Sequence, residues 1–190
     1  FLATAISPPD AAAVRRALSL LRRLGAMADA RGTALTALGE RLAALRVHPT
    51  LGKMLLLAGL FGCYGPVLTI AAALGYRSPF LCPLGKEREA DLCKRELAAG
   101  SESDHVALAN AYEGWLRHGR ARFASTHFLS HQTLSYVHQL RGELADAARD
   151  AFSGSIPDEC STPRQLDDIV RACLVAGLLP NVAWLRRWGK

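Results

Sequence analysis

With 190 residues, half of them hydrophobic, the chain has the apolar material for a packed core, and a chain of this size buries about 70% of its unfolded surface without a disulfide or metal staple. That argues against disorder, while the longest apolar run, Met54 to Phe61, is shorter than the ~20 residues a bilayer span needs, and no basic, apolar and small-residue pattern marks a secretory signal. The formal net charge of +6, from 23 basic and 17 acidic residues, permits phosphate contact without requiring it, because a solvated surface fits the same charge.

The charge is uneven. Residues 1–53 hold eight Lys or Arg against three acids. The five cysteines, Cys63, Cys82, Cys93, Cys160 and Cys173, are odd in number, with no C-x-x-C pair. This suits reduced thiols in an intracellular compartment better than a secreted disulfide framework, and leaves cytosol, nucleus and organelle matrix open. The chain begins with Phe1 rather than Met, which reads as a fragment or a processed product.

In chain order, Ser7-Pro8-Pro9-Asp10 is a helix-start signal, with the prolines holding the preceding chain extended and Asp10 able to cap. Val14, Leu18, Leu21 and Leu24 then recur at helical spacing, and Gly25 supplies the stop. Residues 26–36 read as a small β-hairpin, or wing, turning through Asp29-Ala30-Arg31-Gly32. Thr36 can cap a short helix carrying Leu38, Leu42 and Leu45. Helices are expected at about 49–61 and 66–75, each with Pro in its first turn. After an irregular link at Pro79 and Pro83, two more are expected at 86–99 and 104–118, with Ser103-Asp104 capping the second. Ser130 to Phe152 reads as one long helix, with Leu134, Val137, Leu140, Leu144 and Ala148 on one face; at ~1.5 Å per residue it spans roughly 34 Å. Gly154 to Thr162 is the clearest linker, followed by a helix opening on Thr162-Pro163-Arg164-Gln165 and ending near Gly177.

One ordered series goes beyond periodicity. Val47-His48-Pro49-Thr50-Leu51-Gly52-Lys53-Met54 runs into Pro66-Val67-Leu68-Thr69-Ile70-Ala71, then Ser78-Pro79-Phe80 and Pro83-Leu84-Gly85-Lys86-Glu87, then Ser103-Asp104-His105 and Asn110-Ala111-Tyr112-Glu113-Gly114-Trp115. In this order and spacing it resembles the helicase-associated region of the DEAH/RHA-box RNA helicases, in particular the subgroup that includes the AU-rich-element-associated, G-quadruplex-resolving helicase and its plant relatives. The resemblance covers essentially the whole chain. It implies a mostly α fold: a partial winged helix at 1–48, a ratchet-like helical domain at 49–153, and at 154–190 a linker and helix leading into an OB-fold. Two departures stand out. Leu45-Arg46-Val47-His48-Pro49 is more basic than the family's pattern, and Ala124 replaces a common Cys.

The resemblance also implies a parent motor that couples ATP, with Mg²⁺, to movement along RNA. The motor's own signatures are missing from this segment: no G-x-x-x-x-G-K-[S/T] and no Asp-Glu-x-His occurs, and Gly52-Lys53 lacks a preceding glycine-rich loop. No cofactor is therefore expected on this segment itself. The consecutive Ser103-Asp104-His105 suits a helix cap with an ion pair to a neighbouring domain rather than a hydrolytic triad, whose members must converge in space. His127 and His131 lie four apart and, with Cys93 or His138, offer at most three zinc ligands. Arg117-His118-Gly119-Arg120-Ala121-Arg122 is the densest basic run; it reads equally as a set of RNA-phosphate contacts and as a solvated helix end. Trp115 beside it reads as a core anchor. The candidate nucleic-acid contacts are thus Lys53, Ser103, His105, Arg117, Arg120 and Arg122. The expected partners are RNA, the parent's RecA-like domains and OB-fold, and other proteins of a ribonucleoprotein particle, with no membrane. The competing reading is a helicase-derived scaffold subunit of such a particle.

Overall fold

The computed structural model describes residues 4–29, 34–45, 47–152, 163–179 and 181. They form the helices α1 (Ala11–Arg23), α2 (Ala37–Ala44), α3 (Pro49–Leu60), α4 (Tyr64–Leu74), α5 (Glu87–Leu97), α6 (Asp104–Arg117), α7 (Arg120–Thr126), α8 (His131–Ala151) and α9 (Pro163–Leu178). Pairing of β type among the described residues is confined to two isolated bridges. The mostly α fold expected from the sequence is the fold observed.

Composition decides which helices sit inside. α3 and α4 carry almost no charge and are buried on most of their circumference, at Met54, Leu55, Leu56 and Ala58 in one and Val67, Leu68 and Ile70 to Ala73 in the other. A helix that is apolar all round must be enclosed, and these two are: α3 packs against α2, α4 and α9, and α4 also against α6 and α8. α5, with a charged outer face and only Ala90 buried, lies at the periphery on α6. Close approach requires small residues. A Cβ on Gly177 of α9 would stand 2.1 Å from Met54 Cγ and 2.7 Å from the Thr50 carbonyl oxygen, so α9 lies directly on α3.

The N-terminal segment follows the sequence reading with one change. Asp10 precedes α1, but its side chain makes no capping hydrogen bond; the extended Pro8-Pro9 approach suffices to start the helix. Gly25 takes φ +81°, a left-handed conformation that ends α1 without steric cost. The wing is a hairpin stub: Met27 bridges Leu35 antiparallel, and Ala28 N–H donates to the Ala34 carbonyl at 2.9 Å. Its turn at 30–33 lies outside the described residues. Thr36 serves twice, accepting from Gly39 N–H at 3.0 Å and donating its hydroxyl to the Gly25 carbonyl at 2.7 Å.

Past residue 100, Ser103 caps α6 by accepting from Val106 N–H. The expected single helix over 104–118 stops at Arg117, and a short helix not anticipated from the sequence, α7, follows it. The break has a plain cause: Gly119 sits at φ +72° and Arg120 at φ +23°, which turns the chain between the two helices. The Phe80–Leu129 bridge, with Leu81 N–H on the Phe128 carbonyl and Ser130 N–H on the Pro79 carbonyl, ties the proline-rich link to the start of α8. The expected linker at 154–162 lies outside the described residues. The helix after it is present as α9, packed chiefly on α3.

Candidate nucleic-acid interface

The six candidate contacts do not form one patch; they fall in three places. Lys53 projects from α3 toward the N-terminal segment, where its amine donates to the Leu24 carbonyl at 3.2 Å. It is half-buried and clasps α3 to the end of α1, which leaves less of it to offer a phosphate.

Ser103 and His105 stand at the start of α6. Ser103 is committed as the cap. Asp104 pairs with Lys94 of α5 at 2.7 Å, so the ion pair expected toward a neighbouring domain is made inside the bundle. The Lys94 ammonium also lies 5.2 Å above the Phe80 ring. His105 is half-buried and lines two clefts: one of about 390 Å³ with Arg171, Leu174 and Leu178 of α9, and one of about 250 Å³ with Leu74, Phe80 and Lys94. Burial holds the His105 imidazole below its ordinary value; Asp104 pulls the other way and Lys94 adds to the depression. The balance favours the neutral imidazole.

The third place is the α6–α7 corner, at the far end of α6 and roughly 20 Å from Ser103 by helical rise. Arg117, His118, Arg120 and Arg122 are all exposed there. They are not equivalent. Arg117 pairs with Glu113 at 3.1 Å. The Arg120 guanidinium lies 4.9 Å from the Trp115 ring centroid. Arg122 has no side-chain partner among the described residues. The corner is held close by Gly114, where a Cβ would stand 2.3 Å from the Phe123 ring, so α7 lies flush on α6.

Beside the arginines lies an aromatic and imidazole cluster, with Tyr112 and Trp115 buried and His131 and His138 exposed, whose polar bonds the sequence reading did not identify. Trp115 is fully buried, as a core anchor should be, and its indole N–H donates to His131 Nδ1 at 3.0 Å. An indole only donates, so this bond places the His131 proton on Nε2. One helical face along α8, seven residues on, His138 Nδ1 meets the Tyr112 hydroxyl at 2.6 Å. Burial, then Arg120 and Arg141, hold His138 below its ordinary value. Arg141 lies 4.5 Å from the Tyr112 ring and donates to the Gly65 carbonyl at 2.7 Å and to Thr69 Oγ1. It fastens α8 to α4. The signal available in the sequence was the spacing: Tyr112 and Trp115 three apart on one helix, His131 and His138 seven apart on another. Two of the candidate zinc ligands have other partners. His131 accepts from Trp115, and His127 stacks on Phe123 with ring centroids 3.8 Å apart.

The whole arrangement can attract and hold anions: an exposed basic corner, sited where α7 meets the head of the 21-residue helix α8, over rigid aromatic support. Among the described residues no helix is long and apolar enough to cross a membrane.

Comparison with known proteins gives a consistent result. Residues 48–108 match the model of the helicase-associated domain (HA2), ratchet-like. The DExH-box ATP-dependent RNA helicase DExH1 of Arabidopsis thaliana is 44% identical over 196 residues, which takes in 100% of this chain and 20% of the relative. The ATP-dependent DNA/RNA helicase DHX36 of Homo sapiens is 39% identical, covering 98% of this chain and 19% of the relative. The human ATP-dependent RNA helicase DHX29 is 36% identical over 96% of this chain and 14% of the relative. The chain spans about a fifth or less of the length of each.

Proposed function

We propose that the chain, whose residues 48–108 match the ratchet-like helicase-associated domain and which is similar over its length to DExH-box helicases, is the auxiliary RNA-guiding module of such an enzyme, without ATPase activity of its own. The parent's RecA-like domains supply ATP and Mg²⁺ chemistry. This module forms one wall of the RNA channel and supports translocation as the motor opens and closes, with an OB-fold adjoining it beyond α9. The partial winged helix at 1–48 and the ratchet-like bundle at 49–153 act together. The observation that carries the reading is the exposed basic corner of Arg117, Arg120 and Arg122 at the head of α8. Contacts of this kind go to phosphate and sugar, so binding is independent of sequence and sensitive to salt.

The test is single-stranded RNA affinity across a salt series for the full chain and for Arg117→Ala/Arg120→Ala/Arg122→Ala. Every phosphate that the variant no longer neutralises flattens the logarithmic salt slope by ~0.7. Most of the change is expected from Arg120 and Arg122, because Arg117 is already engaged by Glu113. Equal slopes for the two proteins would remove the corner from the interface. No binding by either protein at low salt would favour the scaffold reading, a helicase-derived subunit that contacts proteins of a ribonucleoprotein particle.

A further inference from the structure

The interface between α9 and the α3–α4 corner contains a feature that RNA guidance does not use. Cys63, the residue immediately before α4, and Cys173, in the second half of α9, face each other with their sulfurs 3.7 Å apart. Each side chain is 1% exposed and belongs to the apolar core with Val170 and Leu174. The two thiols lie 110 residues apart in the chain, so their meeting is a product of the fold. We propose that this pair is a disulfide-forming site, a latch that a hydroperoxide closes to fix α9 covalently against the α3–α4 corner.

A disulfide sets its sulfurs ~2.05 Å apart, so these must close by roughly 1.7 Å, a distance side-chain torsion can cover. The chemistry balances with a hydroperoxide as the two-electron oxidant. The Cys173 thiolate, whose ionisation is favoured by the hydrogen bond from Cys63 against the opposing effect of burial, attacks the peroxide oxygen. A sulfenic acid forms and hydroxide (alkoxide for an organic peroxide) leaves with the thiol proton. The Cys63 sulfur then displaces hydroxide from the Cys173 sulfur, and its own proton completes a water. In sum, two thiols and one hydroperoxide give one disulfide, one water and a second water or an alcohol. Because both sulfurs are buried, the oxidant reaches them through local opening of α9, and the reaction is slower than at the exposed Cys82.

The experiment uses the full chain with Cys82→Ser, Cys93→Ser and Cys160→Ser, treated with hydrogen peroxide. The expected result is an intact mass lower by two hydrogens, with tryptic peptides containing Cys63 and Cys173 joined. A loop this long should raise the melting temperature on the order of 10 °C, reversibly with dithiothreitol, and slow hydrogen exchange along α9. Thiols that remain unlinked at a dose that fully oxidises the denatured protein would overturn the proposal, as would oxygen addition without linkage, or linkage that lowers the melting temperature. The same peptide mapping on the unsubstituted chain covers the case in which the serine variant fails to fold: linkage of either cysteine to Cys160 there also overturns it.

Discussion

The enclosed hub of α3, α4 and α9 and the exposed α6–α7 corner are built on opposite terms. In the hub, the faces that α3, α4 and α9 turn to one another are apolar, and α9 meets α3 closely through Gly177. At the corner, arginines project into solvent beside Trp115, Tyr112, His131 and His138, with Arg120 over the Trp115 ring, and polar bonds join those rings. The hub specifies where the long helix α8 runs; the corner supplies the charge at its head. Loss of function without loss of fold should therefore map to the corner, and loss of both to the hub.

The largest effect that would sharpen this division is at Gly177. A side chain there meets Met54 and the Thr50 carbonyl, which is backbone and cannot swing away. Gly177→Val should cost about 3 kcal/mol, the upper part of the range for overpacking, and lower the melting temperature by roughly 6–12 °C for a chain of this size. Urea and thermal melts check it. A melt within a degree of wild type would mean that α9 is only loosely docked on α3.

Next is the seam between the two regions. Arg141→Met keeps the bulk of the side chain but leaves the Gly65 carbonyl and Thr69 hydroxyl without their charged donor. Thr69 also donates its hydroxyl to the Gly65 carbonyl at 3.2 Å, so the loss is partly absorbed. A destabilisation of about 2 kcal/mol is expected. RNA affinity should fall less than in the corner variants, because Arg141 points inward to α4. An affinity loss matching the triple arginine variant, with normal stability, would make Arg141 part of the binding surface and blur the division.

The corner itself should respond the other way. Removing Arg117, Arg120 and Arg122 together sacrifices one surface ion pair and one cation–π contact, worth about 1 kcal/mol in all. The melt should move by a few degrees at most while the RNA salt slope flattens. A collapse of stability with the slope unchanged would make the arginines structural.

What the sequence disclosed follows the same line. The hub was readable because apolar residues dense enough to exclude water leave no alternative to burial, and Pro49 and Pro66 punctuate its first two helices. The resemblance to the helicase-associated region was readable from the order of many weak motifs, and residues 48–108 match that domain's model. The corner was read only as charge. Its break at Gly119 depends on a left-handed backbone that glycine permits without requiring, so the run looked like one helix end. The bonds of Trp115 to His131 and Tyr112 to His138 join helices at sequence separations of 16 and 26, which local periodicity does not register. Lys53 was read as a nucleic-acid contact because its partner, the Leu24 carbonyl, is a backbone atom 29 residues away.

The smallest expected effect concerns His105, which belongs to neither region and lies in the clefts between α6 and its neighbours. Its folded pKa is depressed, chiefly by burial, while in the unfolded chain it titrates near its ordinary value of about 6.5. As pH falls, the unfolded chain therefore takes up the proton first, and stability drops. The contribution is fully present above about pH 7.5 and is lost as pH descends through 6.5 toward the folded value. Urea melts at pH 7.5, 6.5 and 5.5 should show a declining midpoint, and His105→Gln should flatten the part of that decline due to this residue. Asp104 provides the sign control. Its carboxylate raises the His105 pKa against burial, so Asp104→Asn should depress it further and steepen the decline, even as loss of the Lys94 pair lowers stability slightly at every pH. A shallower decline in Asp104→Asn than in wild type would show that His105 is not the group being titrated. His138, also depressed, would then be the next residue to replace.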